Sequence, residues 1–269
     1  YSYKYENILD NNIILQGFKN KNFYSVEGHA FQELRTDFDQ KKAPKISPRI
    51  LSFFNSSNEI ENINYSTNLE LLTLTRAVGT DMSKFFITQN IEYPILTDDG
   101  SLIKIGTHFN TGFYRIENYD DPLSGSQKSK YYKGKFYPQM TFELSKPLYK
   151  RNKVSKEIFE PKLLLVAGAN NGNDMHIPNE DSRSYDLDFS DLFNRNRLSG
   201  NDRLDNGSRV DYGFSYLNQN IKTSSVTNIS IGHSYRLRKD VYQPSNSGSN
   251  NHFSNIVSFI KIKPTEGFN

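Results

Sequence analysis

Residues 102–115 read LIKIGTHFNTGFYR, and their alternation decides the fold. Ile103, Ile105, Thr107, Phe109, Thr111 and Phe113 fall on one side, while Lys104, Gly106, His108, Asn110 and Gly112 fall on the other. A strand turns successive side chains to opposite faces, so a period of two builds one apolar and one polar surface. A helix would mix charged and apolar residues on a single side. The same rhythm runs outward along the chain. Ile229, Ile231, His233, Tyr235 and Leu237 alternate with Ser230, Gly232, Ser234, Arg236 and Arg238. Val210, Tyr212, Phe214 and Tyr216 alternate with Asp211, Gly213 and Ser215. Weaker versions cover 21–35, 67–76, 137–144, 158–166 and 253–263.

Turn-like clusters separate these runs: Asp10-Asn11-Asn12, Asn55 to Asn58, Thr97 to Ser101, Asp120 to Lys130, Gly168 to Asp174 and Tyr242 to Asn251. Thr97-Asp98-Asp99-Gly100-Ser101 has the makings of a hairpin turn, because glycine after aspartate supplies the positive φ that tight turns need. Pro44, Pro48, Pro94, Pro138 and Pro161 are expected at strand entrances, where a missing N–H does least harm. Short and long connections alternate, as in outer-membrane barrels. About twenty residues per strand and connection predict roughly ten to twelve strands. Nothing resembling a linker divides residues 1–269, so they read as part of one domain.

Composition narrows the class. Aromatics reach 13%, from 17 Tyr and 19 Phe, while hydrophobic residues total only 35% and mean hydropathy is −0.70. A disordered chain is poor in aromatics, and a soluble core is richer in aliphatics. Strands wet on one side satisfy both numbers. A net charge of +3 gives no strong pull toward nucleic acid. Without cysteine there is neither a disulfide framework nor a thiolate metal site. No run approaches the ~18 apolar residues of a membrane helix, so a spanning chain would have to be a β-barrel. The opening YSYKYENI and the ending FIKIKPTEGFN look like mid-strand sequence, which makes an internal fragment the expectation.

One ordered run of blocks carries a resemblance. Phe159-Glu160-Pro161-Lys162 opens an alternating strand, and Ile177-Pro178-Asn179-Glu180-Asp181-Ser182 lies in the polar loop that follows. Asp191-Leu192-Phe193, Ser199-Gly200-Asn201-Asp202-Arg203 and Gly207-Ser208-Arg209 come next, then Tyr212-Gly213. Ser247-Gly248 and His252-Phe253-Ser254-Asn255-Ile256-Val257 complete the series. These blocks resemble the "LEP", "LF…SG-x-DR…G-x-R" and "SG…HFSDIVG" segments of the LptD barrel. Phe159 replaces a Leu, Asn201 an aromatic, Asn255 an Asp and Ser258 a Gly. Upstream, Arg76, Tyr93-Pro94-Ile95 and Tyr137-Pro138-Gln139 suit that family's paired strands.

The resemblance implies an all-β fold, an antiparallel up-and-down transmembrane β-barrel in the outer membrane of a Gram-negative bacterium. The family's N-terminal periplasmic jellyroll and the barrel's terminal strands would lie outside this fragment. The implied function is lipopolysaccharide transport and insertion into the outer leaflet, without covalent chemistry. The implied partners are lipopolysaccharide, an LptE-like lipoprotein plug, the periplasmic transport bridge and outer-membrane lipid, with no nucleic acid among them. The long loop 168–207 would close the external mouth, with Asp181, Asp202, Arg203 and Arg209 as its polar contacts. A generic porin, or a soluble β-rich carbohydrate-binding or glycoside-acting protein, remains open as an alternative. The direction of the apolar strand faces separates barrel from soluble sandwich: outward in a barrel, into a closed core in a sandwich.

Other chemistry finds little support. Glu180, Asp181, Asp186, Asp188 and Asp191 lack EF-hand spacing. They are read as loop carboxylates paired with Arg195, Arg197, Arg203 and Arg209, in preference to a glycosidase pair. Lys128 to Lys135, reading KSKYYKGK, is a short basic-aromatic run read as a solvated loop ending in interface aromatics. His29, His108, His176, His233 and His252 show no metal-ligand spacing, so neither a metal nor a cofactor is assigned. The Gly-rich 167–174 lacks the following GK[ST] of a phosphate loop, and no G-x-S-x-G supports a serine hydrolase.

Overall fold

The computed structural model describes residues 7–58, 62–120, 127–183, 186–242 and 248–264. Ser184, Tyr185, Ser247 and the turn residues 121–126 and 243–246 lie outside the described residues. The strands are β1 (Ile8–Lys19), β2 (Asn22–Glu33), β3 (Lys45–Asn58), β4 (Ile63–Thr75), β5 (Asp81–Leu96) and β6 (Leu102–Asp120). They continue as β7 (Gln127–Ser145), β8 (Leu148–Arg151), β9 (Ser155–Gly168), β10 (Arg209–Asn220), β11 (Val226–Arg236) and β12 (Val257–Lys263). A 3-10 turn (Gln40–Lys42) and a single helical turn, α1 (Phe189–Leu192), complete the elements. The expected all-β antiparallel class and strand number are what the chain adopts. One sheet runs β1-β2-β3-β4-β5-β6-β7-β9-β10-β11-β12, with β8 paired to β9 beside that path.

Connections alternate along the order. Residues 20–21, 59–62, 97–101 and 221–225 link strands at one edge, and 34–44, 76–80, 169–208 and 237–256 link them at the other. The two longest connections share the second edge. Thr97–Ser101 forms the expected turn: Gly100 has φ +79°, and Thr97 N–H donates to the Ser101 carbonyl at 3.0 Å.

Two expected turns are strands, and so is the basic-aromatic run Lys128 to Lys135, an expected loop that lies in β7. Asp10, Asn11 and Asn12 sit in β1 opposite Phe31, Ala30 and His29, and Asn55 to Asn58 lie in β3 opposite Ser66 to Ile63. Local turn preference yields here to ladder pairing. Asn11 Nδ2 even adds a bond to the Ala30 carbonyl at 3.3 Å. Proline placement also differs, because Pro48, Pro94, Pro138 and Pro161 lie inside strands. Pro48 falls where the β3–β4 register shifts between Ile46 and Arg49, a bulge that leaves it unpaired. Pro161 lies where β9 exchanges one neighbour for another. Ser145 of β7 faces Lys162 and Leu148 of β8 faces Phe159. Only Lys146 N–H reaches the Pro161 carbonyl on that side, at 3.2 Å, so no ladder donor is missed.

The strand faces are inverted relative to a soluble sandwich. Phe113, Tyr132, Phe136, Met140, Tyr212, Ile231 and Leu237 are exposed, whereas Lys84, Asn110, Gln139, Asp211, Arg209 and Arg236 are buried. These exposed apolar and buried polar side chains fall on opposite faces of their strands. Among the described residues no helix is long and apolar enough to cross a membrane.

Contacts divide the chain into two compact units. The first is Tyr1–Ile91, His108–Phe136 and Asp174–Glu180; the second is Glu92–Thr107, Tyr137–Asn173 and Asp181–Asn269. On the polar face of the first, contacts between polar side chains step from strand to strand: Asp10 meets His29 at 3.0 Å, and ion pairs join Glu27 to Arg49 at 3.4 Å, Arg49 to Glu70 at 3.0 Å and Glu70 to Lys84 at 3.1 Å. That face is not wholly polar. Leu72, Leu74, Met82, Phe86, Tyr114 and Ile116 are buried in the same unit as Ile177, and Gly112 leaves room for the Phe86 and Tyr114 rings. The second unit holds the candidate site.

Candidate functional site

The connection 169–208 between β9 and β10 is shared by the two units, and each part of it is held by contacts within its own unit. In the first unit, Tyr119 and Tyr131 donate their hydroxyls to the carbonyls of Met175 and His176, at 2.6 and 2.7 Å. Arg76 grips Glu180 with both terminal nitrogens, Nη1 at 3.0 Å and Nη2 at 2.5 Å. Lys133 and His176 both meet Asp174, at 3.0 and 2.9 Å. Burial raises the Asp174 carboxyl, but the His176 N–H and Lys133 outweigh it and bring the pKa to about 2.

In the second unit the loop folds on itself before reaching the sheet. Asn173 and Leu204 exchange two hydrogen bonds of 2.8 Å. Asp181 accepts from the backbone of Asn201 and Asp202, at 3.1 and 2.9 Å, and Asp202 Oδ2 accepts from Asp181 N–H at 3.2 Å. Gly200, at φ +73°, leaves no space for a side chain, since a Cβ would stand 2.5 Å from the Asp181 carbonyl. The Ser-Gly-Asn-Asp-Arg block is therefore a turn closed by carboxylate-to-backbone bonds. Arg203 N–H donates to Ser182 Oγ at 2.8 Å, and its guanidinium lies 5.9 Å from the Tyr242 ring centre.

Asp205 is the hub. Its carboxylate, fully buried, takes Arg197 Nε at 2.7 Å, Arg209 Nη1 at 3.1 Å and Arg236 Nη2. Asp211 of β10 accepts from Arg209 Nε at 2.9 Å and from the Ser234 hydroxyl. Arg209 Nη2 donates to the carbonyls of Asn194 and Arg195, and Arg236 Nη1 donates to the Asn206 carbonyl at 2.6 Å. Gln139 of β7 donates to the Asp205 carbonyl at 3.3 Å and accepts from Arg195, while Gly207 N–H donates to Tyr137 Oη at 2.9 Å. Burial alone would raise the Asp205 pKa, but Arg197, Arg209 and Arg236 hold it far below the ordinary carboxylate range. Burial, reinforced by the nearby Arg209, lowers Arg195 to about 10.

An apolar anchor stands beside this network. Asp188 caps α1 by accepting from Asp191 N–H at 3.0 Å. Leu192 is fully buried, and a Cβ on Gly232 of β11 would stand 2.2 Å from its Cδ2. The Asp191-Leu192-Phe193 block is the plug that fits this glycine gap.

The structure places Asp181, Asp202 and Arg203 in the loop's own closure and Arg209 on the sheet under the hub. The cations expected opposite the acidic cluster take other partners: Arg197 and Arg209 pair with Asp205 and Asp211, and Glu180 pairs with Arg76. Sequence reasoning missed Asp205, Asp211 and Arg236. A signal existed, since Arg236 and Asp211 lie on the polar side of recognised alternations. Chemically the hub is a clamp. A carboxylate held so far below neutrality by three guanidinium groups neither gives nor takes a proton near pH 7. Among the described residues no group of His, Asp and Glu gathers to hold a metal. Comparison with curated proteins finds no match. The family model described as LptD, LPS transport system D, matches residues 3–269.

Proposed function

The chain belongs to the LptD family of the lipopolysaccharide transport system, and on that footing we propose that it forms barrel wall through which lipopolysaccharide reaches the outer leaflet. The family is an outer-membrane one, and crossing by strands suits it. The observation that carries the proposal is the inverted face pattern joined to a long connection clamped over the polar side. An apolar exterior meets lipid, and a polar interior offers sugars and phosphates hydrogen-bonding groups in place of water. Residues 1–269 serve as part of a single barrel domain, working with a periplasmic jellyroll, an LptE-like plug in the lumen and the transport bridge. The connection 168–207 closes the external mouth, and Asp181, Asp202, Arg203 and Arg209 are contacts of that closure. Transport proceeds with no covalent step.

Depletion of the protein, followed by assay of newly made lipopolysaccharide at the cell surface, tests this reading. Loss of surface delivery with accumulation in the periplasm is expected. Normal delivery with altered uptake of small solutes would replace the transporter with a porin.

A further inference from the structure

The exposed face of the first unit carries a groove of about 550 Å³. Leu71, Phe85, Phe113 and Tyr132 form its walls, and Ser83 and Gly134 its low points. Phe113 and Tyr132 are 61% and 67% exposed, so these rings stand as walls around an opening and are not packed shut. Strand alternation fixes what lies above it. On β6, Phe113 is followed on the same face by Arg115 and Glu117; on β7, Gly134 and Tyr132 are preceded by Lys130 and Lys128. Arg115 meets Glu117 at 2.7 Å, Lys130 lies 3.8 Å from the same carboxylate, and the Lys130 ammonium sits 5.6 Å from the Tyr132 ring centre. Arg115, Lys130 and Glu117 therefore crown an apolar slot, at the strand edge that also carries the long connections.

We propose that this groove is a lipid site. An acyl chain lies between Phe85, Phe113 and Tyr132, and a headgroup phosphate is held by Arg115 and Lys130. Guanidinium and ammonium groups bind phosphate through charge-assisted hydrogen bonds, and beside a membrane these lose less to solvent than in water. The inference rests on the outer-membrane reading above. That reading puts the long-connection edge at the outer leaflet, whose phosphorylated, multiply acylated glycolipid is the lipid A part of lipopolysaccharide. The occupant is thus a lipid A molecule held against the outside of the wall.

The protein purified intact from outer membranes, with its partners, is placed in phosphatidylcholine nanodiscs containing bisphosphorylated lipid A. Native mass spectrometry then counts the lipid retained after ejection. Gly134→Leu fills the slot from a position where an added Cβ meets nothing within 4 Å. Heat-modifiable electrophoretic mobility verifies that the variant is folded. Retention is expected to fall about tenfold in Gly134→Leu and in the Arg115→Ala/Lys130→Ala pair, and also when lipid A is dephosphorylated. Unchanged retention in folded Gly134→Leu overturns the site, as does equal displacement of lipid A by phosphatidylglycerol. Surface delivery after depletion is a separate readout, so the groove can fail while the transport proposal stands.

Discussion

Asp205 shows how one carboxylate can decide the course of a forty-residue connection. Three guanidinium groups converge on it, and two of them, Arg209 and Arg236, are directly opposed across β10 and β11. Like charges facing one another across a sheet repel unless an anion intervenes. Asp205→Asn should therefore cost about 3–5 kcal/mol, because breaking a buried pair leaves charge uncompensated. A lower temperature for the heat-modifiable mobility shift, with faster proteolysis in 186–204, is the expected result. Asp174 supplies a pH-dependent contact. Its folded pKa of about 2 lies below the ordinary carboxylate value. The contribution is thus present above roughly pH 4 and lost as pH falls from there toward 2. Exchange of the His176 amide, which donates to Asp174 at 2.8 Å, should rise over that window and become pH-independent in Asp174→Asn apart from intrinsic exchange. Of these residues the sequence made Arg209 legible, since it ends a recognised block beside an alternating strand. Asp205 was hidden because its partners come from β10 and β11, and only the strand register brings them together.

At the scale of elements, strands with clean alternation were readable because one face must stay wet and the other apolar. β1 and the end of β3 were not, because their Asn-rich segments have the local character of turns, and only pairing with β2 and β4 makes them strands. α1 escaped for a different reason: four residues are too few to show a helical period. Its role depends on a missing side chain elsewhere. Gly232→Val should expel Leu192 from its seat and free the loop, while leaving the polar hub's residues intact. Leu192→Ala should weaken the same seat by about 3 kcal/mol. Limited proteolysis within 186–204 would report the change, with cleavage rising in both variants. Gly200→Ala should loosen the Asp181 turn, and increased protease cleavage near 200 is the measurement. If cleavage there does not change, the positive φ at Gly200 is not a constraint on the loop.

At the scale of the whole molecule, the long connection is, on the proposed transport reading, the element that governs what passes. Removing residues 186–204 should leave the strands paired but admit large antibiotics, with vancomycin susceptibility as the readout. If susceptibility is unchanged, that segment does not close the mouth. The class of fold was legible from alternation alone, whereas transport entered through the blocks between Phe159 and Val257 and not through any reactive constellation. The opposed arginines have one more consequence. Were β11 to slip by a single position against β10, Arg236 would swing to the lipid side and Asp205 would lose a cation. The loop could then no longer settle. The hub thus closes only over strands joined in this register, so the seated connection is itself a report of correct pairing.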